Sequence, residues 1–96
     1  LGDQVDIIAA SATDGLLAAR DFTTLEDDRR YFPPYEAVTI TREETLAQYP
    51  SLGPALDALA GHVSESDMRA MNYAVDGKKR DPATVVREFL MRKFSE

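Results

Sequence analysis

The sequence predicts an α/β chain of about three short strands followed by four helices. Three observations carry that prediction. Residues 4–10, QVDIIAA, are a short apolar run rich in β-branched side chains, the pattern of a buried strand. Residues 36–41, EAVTIT, alternate, with Val38 and Ile40 on one face and Ala37, Thr39 and Thr41 on the other, as a strand with one stronger apolar face does. From Thr41 onward the apolar residues recur at helical spacing between caps and breakers, which is the mark of amphipathic helices.

Taken in order, the first strand runs into SATDG, a cluster of turn and cap residues in which Ser11 or Thr13 is placed to cap a helix through residues 14–21. Gly15 in its first turn either admits the close approach of another backbone or a ligand, or is only tolerated there. Residues 22–26, FTTLE, read as a second strand, and DDRR at 27–30 as a polar corner. YFPPY must then be extended, because proline fixes its own φ and drives the preceding residue out of the helical region. It is a stiff connector into the third strand at 36–41.

The helical part opens with TREE, a capping box of Thr41 and Glu44, on a helix expected to run to about Tyr49 and stop at Pro50. Ser51 is placed to cap the next, which carries Leu52, Leu56 and Leu59 on one face and ends at Gly61. Ser64 starts a third with a stripe of Met68, Met71 and Val75, ended by Gly77. Asp81 caps the last, with Pro82 at its favoured first position and an inner face of Val85, Val86, Phe89, Leu90 and Phe94.

Three strands make too small a sheet for four amphipathic helices. The chain also opens on a strand pattern with almost nothing before it. Both features lead us to expect a fragment of a longer protein, or an oligomer that supplies the missing sheet. With 96 residues, the chain is one small domain, or a piece of one, that buries only about 60–65% of its unfolded surface.

The formal net charge of −6 and the absence of a basic stripe argue against nucleic acid and anionic membrane surfaces as partners. KKR at 78–80 reads as a solvated turn between helices. Without cysteine there is no disulfide framework and no thiolate zinc site. No run of 18 apolar residues and no signal peptide pattern occurs.

Nothing in the sequence supports catalysis. His62, the single histidine, follows Gly61 at a helix end, where an imidazole suits the dipole, and no orienting partner is suggested for a general base. The carboxylates of Glu26, Asp27 and Asp28 are consecutive and converge poorly on one ion, without the alternation and central glycine of a calcium loop. The serines form no nucleophile elbow and the glycines no phosphate loop. We expect a protein that is not an enzyme and has no metal site and no cofactor.

The aromatic cluster Tyr31, Phe32 and Tyr35 around Pro33-Pro34 has two readings. The rings pack against the start of the helical part and anchor the crossing, or the stiff prolines present Tyr35 to a ligand. A tyrosine face is a good wall for a quaternary ammonium, worth about 0.5–2 kcal/mol per contact depending on desolvation.

Several short motifs occur together: Asp6-Ile7, Thr13-Asp14-Gly15, Leu25-Glu26-Asp27-Asp28, Phe32-Pro33-Pro34-Tyr35, Arg42-Glu43 with Thr45-Leu46, Ala60-Gly61, and Met68 with Met71-Asn72-Tyr73. In this combination and order the chain resembles the C-terminal portion of the osmoprotectant substrate-binding proteins of ABC transporters, which bind glycine betaine, carnitine and choline. No single piece is diagnostic; T-D-G, L-E-D-D and F-P-P-Y at these separations are. The resemblance implies a partial periplasmic-binding-protein-like fold of type II. Residues 1–30 would be the end of the second lobe, 31–37 a hinge crossing, and 38–96 the C-terminal part of the first lobe.

The resemblance also implies a ligand site. Tyr35 matches one wall of the family's aromatic cage for a trimethylammonium group. The family usually places a tyrosine, a second wall, where this chain has Ser11. Losing a wall costs roughly 0.5–2 kcal/mol, about two- to thirtyfold in affinity, and Ser11 supplies a hydroxyl donor and acceptor instead. Thr13 and Asp14 either cap the helix and complement its dipole, or the exposed amides and the Thr13 hydroxyl at this helix N-terminus meet the ligand.

The implied function is capture of a quaternary-ammonium or related compatible solute in an interlobe cleft and its delivery to an ABC permease driven by an ATPase. That takes place at the periplasmic or extracytoplasmic face of a bacterial membrane. The alternatives are a family member for a non-quaternary polar solute, and a fragment acting only as a structural or oligomerising module, by homodimer or domain swap.

Overall fold

The computed structural model describes residues 4–95, and among them regular structure is helical throughout. There are five helices: α1 (Leu16–Ala19), α2 (Glu43–Gln48), α3 (Leu52–Asp57), α4 (Glu65–Asp76) and α5 (Pro82–Phe94). The chain divides into two compact units. One unites the stretch ending at Phe22 with the stretch from Val63 onward, and so contains α1, α4 and α5. The other is Thr23–His62, with α2 and α3.

The α/β expectation is thereby corrected. The segments 4–10, 22–26 and 36–41, expected as about three short strands, form no strand among the described residues. A strand exists through the ladder of hydrogen bonds it makes with a neighbour, and these segments do not partner one another. Their apolar side chains lie open: Ile7 is 77% and Ile40 89% exposed. The β-branched pattern was real, but the pattern specifies a preference for a pleated, half-buried surface and not the surface itself.

The four helices expected after Thr41 do form, and only α2 starts elsewhere than expected. Thr41 builds no capping box with Glu44; α2 begins after Arg42, without a side-chain cap, and Glu43 and Glu44 stand in its first turn, where acidic groups suit the helix dipole. Ser51 precedes α3 but caps nothing with its side chain. After α3 the chain turns through Gly61 at φ 74°, a left-handed value that glycine adopts without steric cost.

The unit of α1, α4 and α5 is built around α4. Ser64 Oγ accepts from the Asp67 backbone N–H at 3.1 Å, and the Asp67 carboxylate accepts from the Ser64 N–H at 3.1 Å, a reciprocal capping box. The Ser64 hydroxyl and amide, together with Lys93, hold the Asp67 carboxyl below the usual aspartate range. Its stabilising contribution is therefore present above that range and is lost as pH falls through the lowered pKa.

Helix α4 ends at Gly77, whose N–H donates to the Tyr73 carbonyl at 2.8 Å, while the Arg80 N–H donates to the Ala74 carbonyl at 3.0 Å. The left-handed residue of this turn is Lys79, at φ 56°. Asp81 then caps α5, accepting from the Thr84 N–H and hydroxyl at 2.8 Å each, with Pro82 in the first turn, as its position in the sequence requires.

The core is small. Val85 and Phe89 of α5 are 5% and 4% exposed, and Met68, Met71 and Val75 of α4 are half-buried. Those three α4 residues line a cleft of about 260 Å³ with Val85 and Val86. The expected inner face of α5 is only partly buried, since Val86, Leu90 and Phe94 are exposed. Val86, at the edge of that cleft, and Leu90 also line an open apolar groove along α5, with Met91 and Pro82. Because i and i+4 share one face of a helix, Val85 and Phe89 form the line that meets α4.

This narrow core makes an unequal prediction about neighbours on one helix. Phe89→Ala should destabilise by about 3–5 kcal/mol, as buried aromatic truncations do, whereas Leu90→Ala should cost roughly 1 kcal/mol or less. Urea denaturation of the two variants checks this, and equal losses would show that the whole face is packed.

Candidate functional site

The turn that carries Ser11 and Thr13 is closed locally by few bonds. The Asp14 N–H donates to the Ser11 carbonyl at 3.0 Å, and the Asp14 carboxylate accepts from the Leu16 N–H at 2.9 Å. Asp14, and not Ser11 or Thr13, is thus the side chain that meets the free amides at the start of α1, which is only Leu16–Ala19 rather than the expected 14–21. The two hydroxyls are left to each other, with Ser11 Oγ 3.4 Å from Thr13 Oγ1. That is a long contact for two hydroxyl oxygens. Ser11 is exposed and Thr13 half-buried.

Helix α4 reaches this turn from far along the sequence. Arg69 Nε donates to the Ala12 carbonyl at 2.8 Å, and Asn72 Nδ2 donates to the Thr13 carbonyl at 2.8 Å. Residues three apart on a helix share a face, so the two donors address consecutive carbonyls. Gly15 is buried. A Cβ there would lie 2.6 Å from the Asn72 carbonyl carbon and 2.7 Å from the Tyr73 Cα, so the choice between close approach and mere tolerance falls to close approach.

Tyr35 lies in the other compact unit. It is fully exposed, and Tyr31 and Phe32 are exposed as well. The rings of Tyr31 and Phe32 meet edge to face at 5.0 Å and 89°, a favourable aromatic geometry. The burial expected of a packed hinge anchor is absent from all three. Asp27 organises the approach to them. Its carboxylate accepts from the Tyr31 N–H at 3.0 Å and the Phe32 N–H at 2.9 Å, while Arg30 takes a left-handed φ of 51° and donates its N–H to the Asp27 carbonyl. Of the three consecutive carboxylates, this one is engaged by backbone amides. Among the described residues no group of three or more histidine, cysteine, aspartate or glutamate side chains is placed to hold a metal.

The structure therefore brings Ser11 and Thr13 together and places Tyr35 as an open ring. Neither cleft beside α5 is lined by any of the three. Arg69 and Asn72 were missed as site residues, because their link to the turn spans 57 and 59 positions. The one sequence signal was Asn72 within the Met-Asn-Tyr motif.

The Asp27 loop has a pH signature. The Phe32 amide first, then the Tyr31 amide, hold the Asp27 carboxyl below its usual range. The loop bonds are therefore complete above that range and are lost as pH falls through the lowered pKa. In an NMR titration the Tyr31 and Phe32 amide signals should move together with a midpoint below about 3.9, the ordinary aspartate value, and Asp27→Asn should abolish the movement. A midpoint at or above that value would show that the carboxylate does not hold the loop.

A comparison with known proteins adds the family. The model of the substrate binding domain of ABC-type glycine betaine transport systems matches residues 2–92. A carnitine transport binding protein of Listeria monocytogenes is 34% identical over 90 residues, which are 94% of this chain and 29% of that protein. A glycine-betaine-binding protein of Pseudomonas aeruginosa is 32% identical over 78 residues, 81% of this chain and 25% of that protein. An ergothioneine transport permease/ergothioneine binding protein of Helicobacter pylori is 29% identical over 89 residues, 93% of this chain and 16% of that protein. The chain thus spans less than a third of the length of each of these relatives. With its motifs and nearly its whole length inside one family pattern, the chain belongs to the substrate-binding domains of ABC-type glycine betaine transport systems.

Proposed function

We propose that this chain is part of the solute-capturing component of an ABC importer. The whole protein takes a small solute with a quaternary ammonium group into a cleft between two lobes, at the extracytoplasmic face of a bacterial membrane, and delivers it to a permease. The observation that carries this reading is the fully exposed ring of Tyr35 directly after the stiff Pro33-Pro34 pair. An aromatic side chain held open in this way is suited to receive a diffuse cation. Glycine betaine, carnitine and ergothioneine, the solutes in the relatives' names, share a trimethylammonium group and a carboxylate, and a tyrosine face suits the first of these. Tyr35 is the candidate wall for the cation; in the other compact unit, Ser11 and Thr13 are candidates through their hydroxyls. Among the described residues no helix is long and apolar enough to cross a membrane.

The ring's full exposure places its contribution at the low end of the cation–π range until neighbouring groups exclude water. Ser11 stands where the family usually has a second aromatic wall. The expected outcome of calorimetric titration of the full-length parent protein with glycine betaine, carnitine and choline follows from this. Tyr35→Ala should weaken binding by about two- to thirtyfold, and Ser11→Tyr should strengthen it within the same range. Binding of none of these solutes, or binding indifferent to Tyr35, would sink the reading.

A second reading, self-association of the 96-residue chain, has its own observation in the exposed Ile7, Val38 and Ile40, residues whose pattern asks for a sheet. Light scattering of the isolated chain decides it. A dimer that dissociates on Ile40→Lys supports pairing through those segments, and a monomer at all concentrations removes it.

A further inference from the structure

We infer that Asn72, seconded by Arg69, is a positioning residue for the solute: α4 sets the place of the Ser11 and Thr13 hydroxyls by holding the backbone between them. This inference rests on the proposed role of those hydroxyls and adds the group that determines where they stand.

The turn cannot hold itself. Its own closure is the bond from the Asp14 N–H to the Ser11 carbonyl and that from the Leu16 N–H to the Asp14 carboxylate, and it leads into a helix of four residues, far too short to be stable alone. Ser11 and Ala12 are exposed. What fixes the turn is α4. Asn72 donates to the Thr13 carbonyl, Arg69 to the Ala12 carbonyl, both at 2.8 Å, and Gly15 lies against the backbone at Asn72 and Tyr73. Three attachments from one helical stretch fall on four consecutive residues of the turn. The same helix packs on α5 beside Val75 and Met71, so the hydroxyls are referred to the firmest part of this unit.

Asn72 is suited to the task in a way that aspartate is not. Its amide nitrogen donates to the carbonyl; a carboxylate of nearly the same shape only accepts and would face the Thr13 oxygen with like charge. Asn72 is half-buried, so water replaces the lost donor poorly. Arg69 acts through its Nε, and lysine keeps a donor there while methionine keeps only the stem.

The test uses the full-length parent protein, with glycine betaine and carnitine as probes. Two readouts are taken on Asn72→Asp, Arg69→Met and Arg69→Lys: solute affinity by calorimetry, and hydrogen exchange at the Asp14 and Leu16 amides against that at the Gly77 and Val85 amides. The expected result for Asn72→Asp is exchange at Asp14 and Leu16 about tenfold faster, Gly77 and Val85 unchanged, and affinity about tenfold weaker. Arg69→Met should show a smaller loss of the same kind, and Arg69→Lys should restore most of it.

Unchanged exchange at Asp14 and Leu16 would overturn the inference, since the turn would then be held otherwise. Faster exchange with unchanged affinity would also overturn it, because the solute would not depend on the turn. If Asn72→Asp loosens every amide alike, Arg69→Met at its more open position decides by the same two criteria. Should the wild type bind neither probe, the proposed function fails and the positioning of a solute with it, while the exchange data still show separately whether α4 holds the turn.

Discussion

Everything else in the unit of α1, α4 and α5 depends on how closely the backbone at Gly15 approaches the backbone of α4. Without a side chain at residue 15, Arg69 and Asn72 can reach the carbonyls of Ala12 and Thr13 at full hydrogen-bond strength. With one, the Cβ would meet the backbone at Asn72 and Tyr73 at 2.6 and 2.7 Å, so the segment would have to stand off and both bonds would lengthen. The ion pairs contribute much less. Arg80–Glu88 at 2.7 Å is open to solvent on both sides, and Asp67, itself half-buried, meets the more exposed Lys93 and Arg92 at 3.3 and 3.7 Å; solvent screens such pairs, and they add little. The two buried side chains of α5 outweigh them, at roughly 1.5–3 kcal/mol apiece. Close backbone approach and a narrow apolar seam therefore define this unit, and charge decorates it.

The helices from α2 to α5 were legible because a helix satisfies its own backbone and needs a partner only along one stripe. Met68, Met71 and Val75 announced that stripe, and Asp81-Pro82 announced a start that the structure keeps. The extended segments were not legible in the same sense. Val38, Ile40, Ile7 and Ile8 carry a strand pattern, but a strand's hydrogen bonds lie in another segment, and no local sequence can state that this segment is at hand. The caps divide by the same logic. Ser64 and Asp81 had a competent acceptor and a free amide within three residues, whereas Thr41 sat one position too early for α2, whose cap position falls to Arg42.

The site shows the same split between local and remote information. That residues 11–14 make a turn, and that an acidic side chain there meets free amides, follows from S-A-T-D-G alone; only the identity of the side chain, Asp14 in place of Ser11 or Thr13, needed the geometry. The Asp27 loop was visible as a polar corner but not as a carboxylate spanning two amides, because the bonded residues lie four and five positions on. The link from Arg69 and Asn72 to the turn was invisible, although Asn72 stood in the Met-Asn-Tyr motif. Each is an ordinary helix-surface residue by pattern, and its role is defined by carbonyls 57 and 59 residues away. Long-range polar contacts of this kind leave no periodicity and no composition signal.

Ser11 brings these lines together. Its carbonyl receives the bond that closes the turn, so its backbone position is set by the turn and by α4 behind it, while its exposed side chain takes no part in either. A larger side chain at residue 11 would leave from the same point without disturbing what holds the turn. Such a position can exchange an aromatic face for a hydroxyl at no structural cost, and the exchange alters only what the turn offers to a solute. The 3.4 Å contact with Thr13 is weak enough for a better partner to replace it. In the proposed function residue 11 would then set how much of what this turn offers to a solute is aromatic and how much is polar.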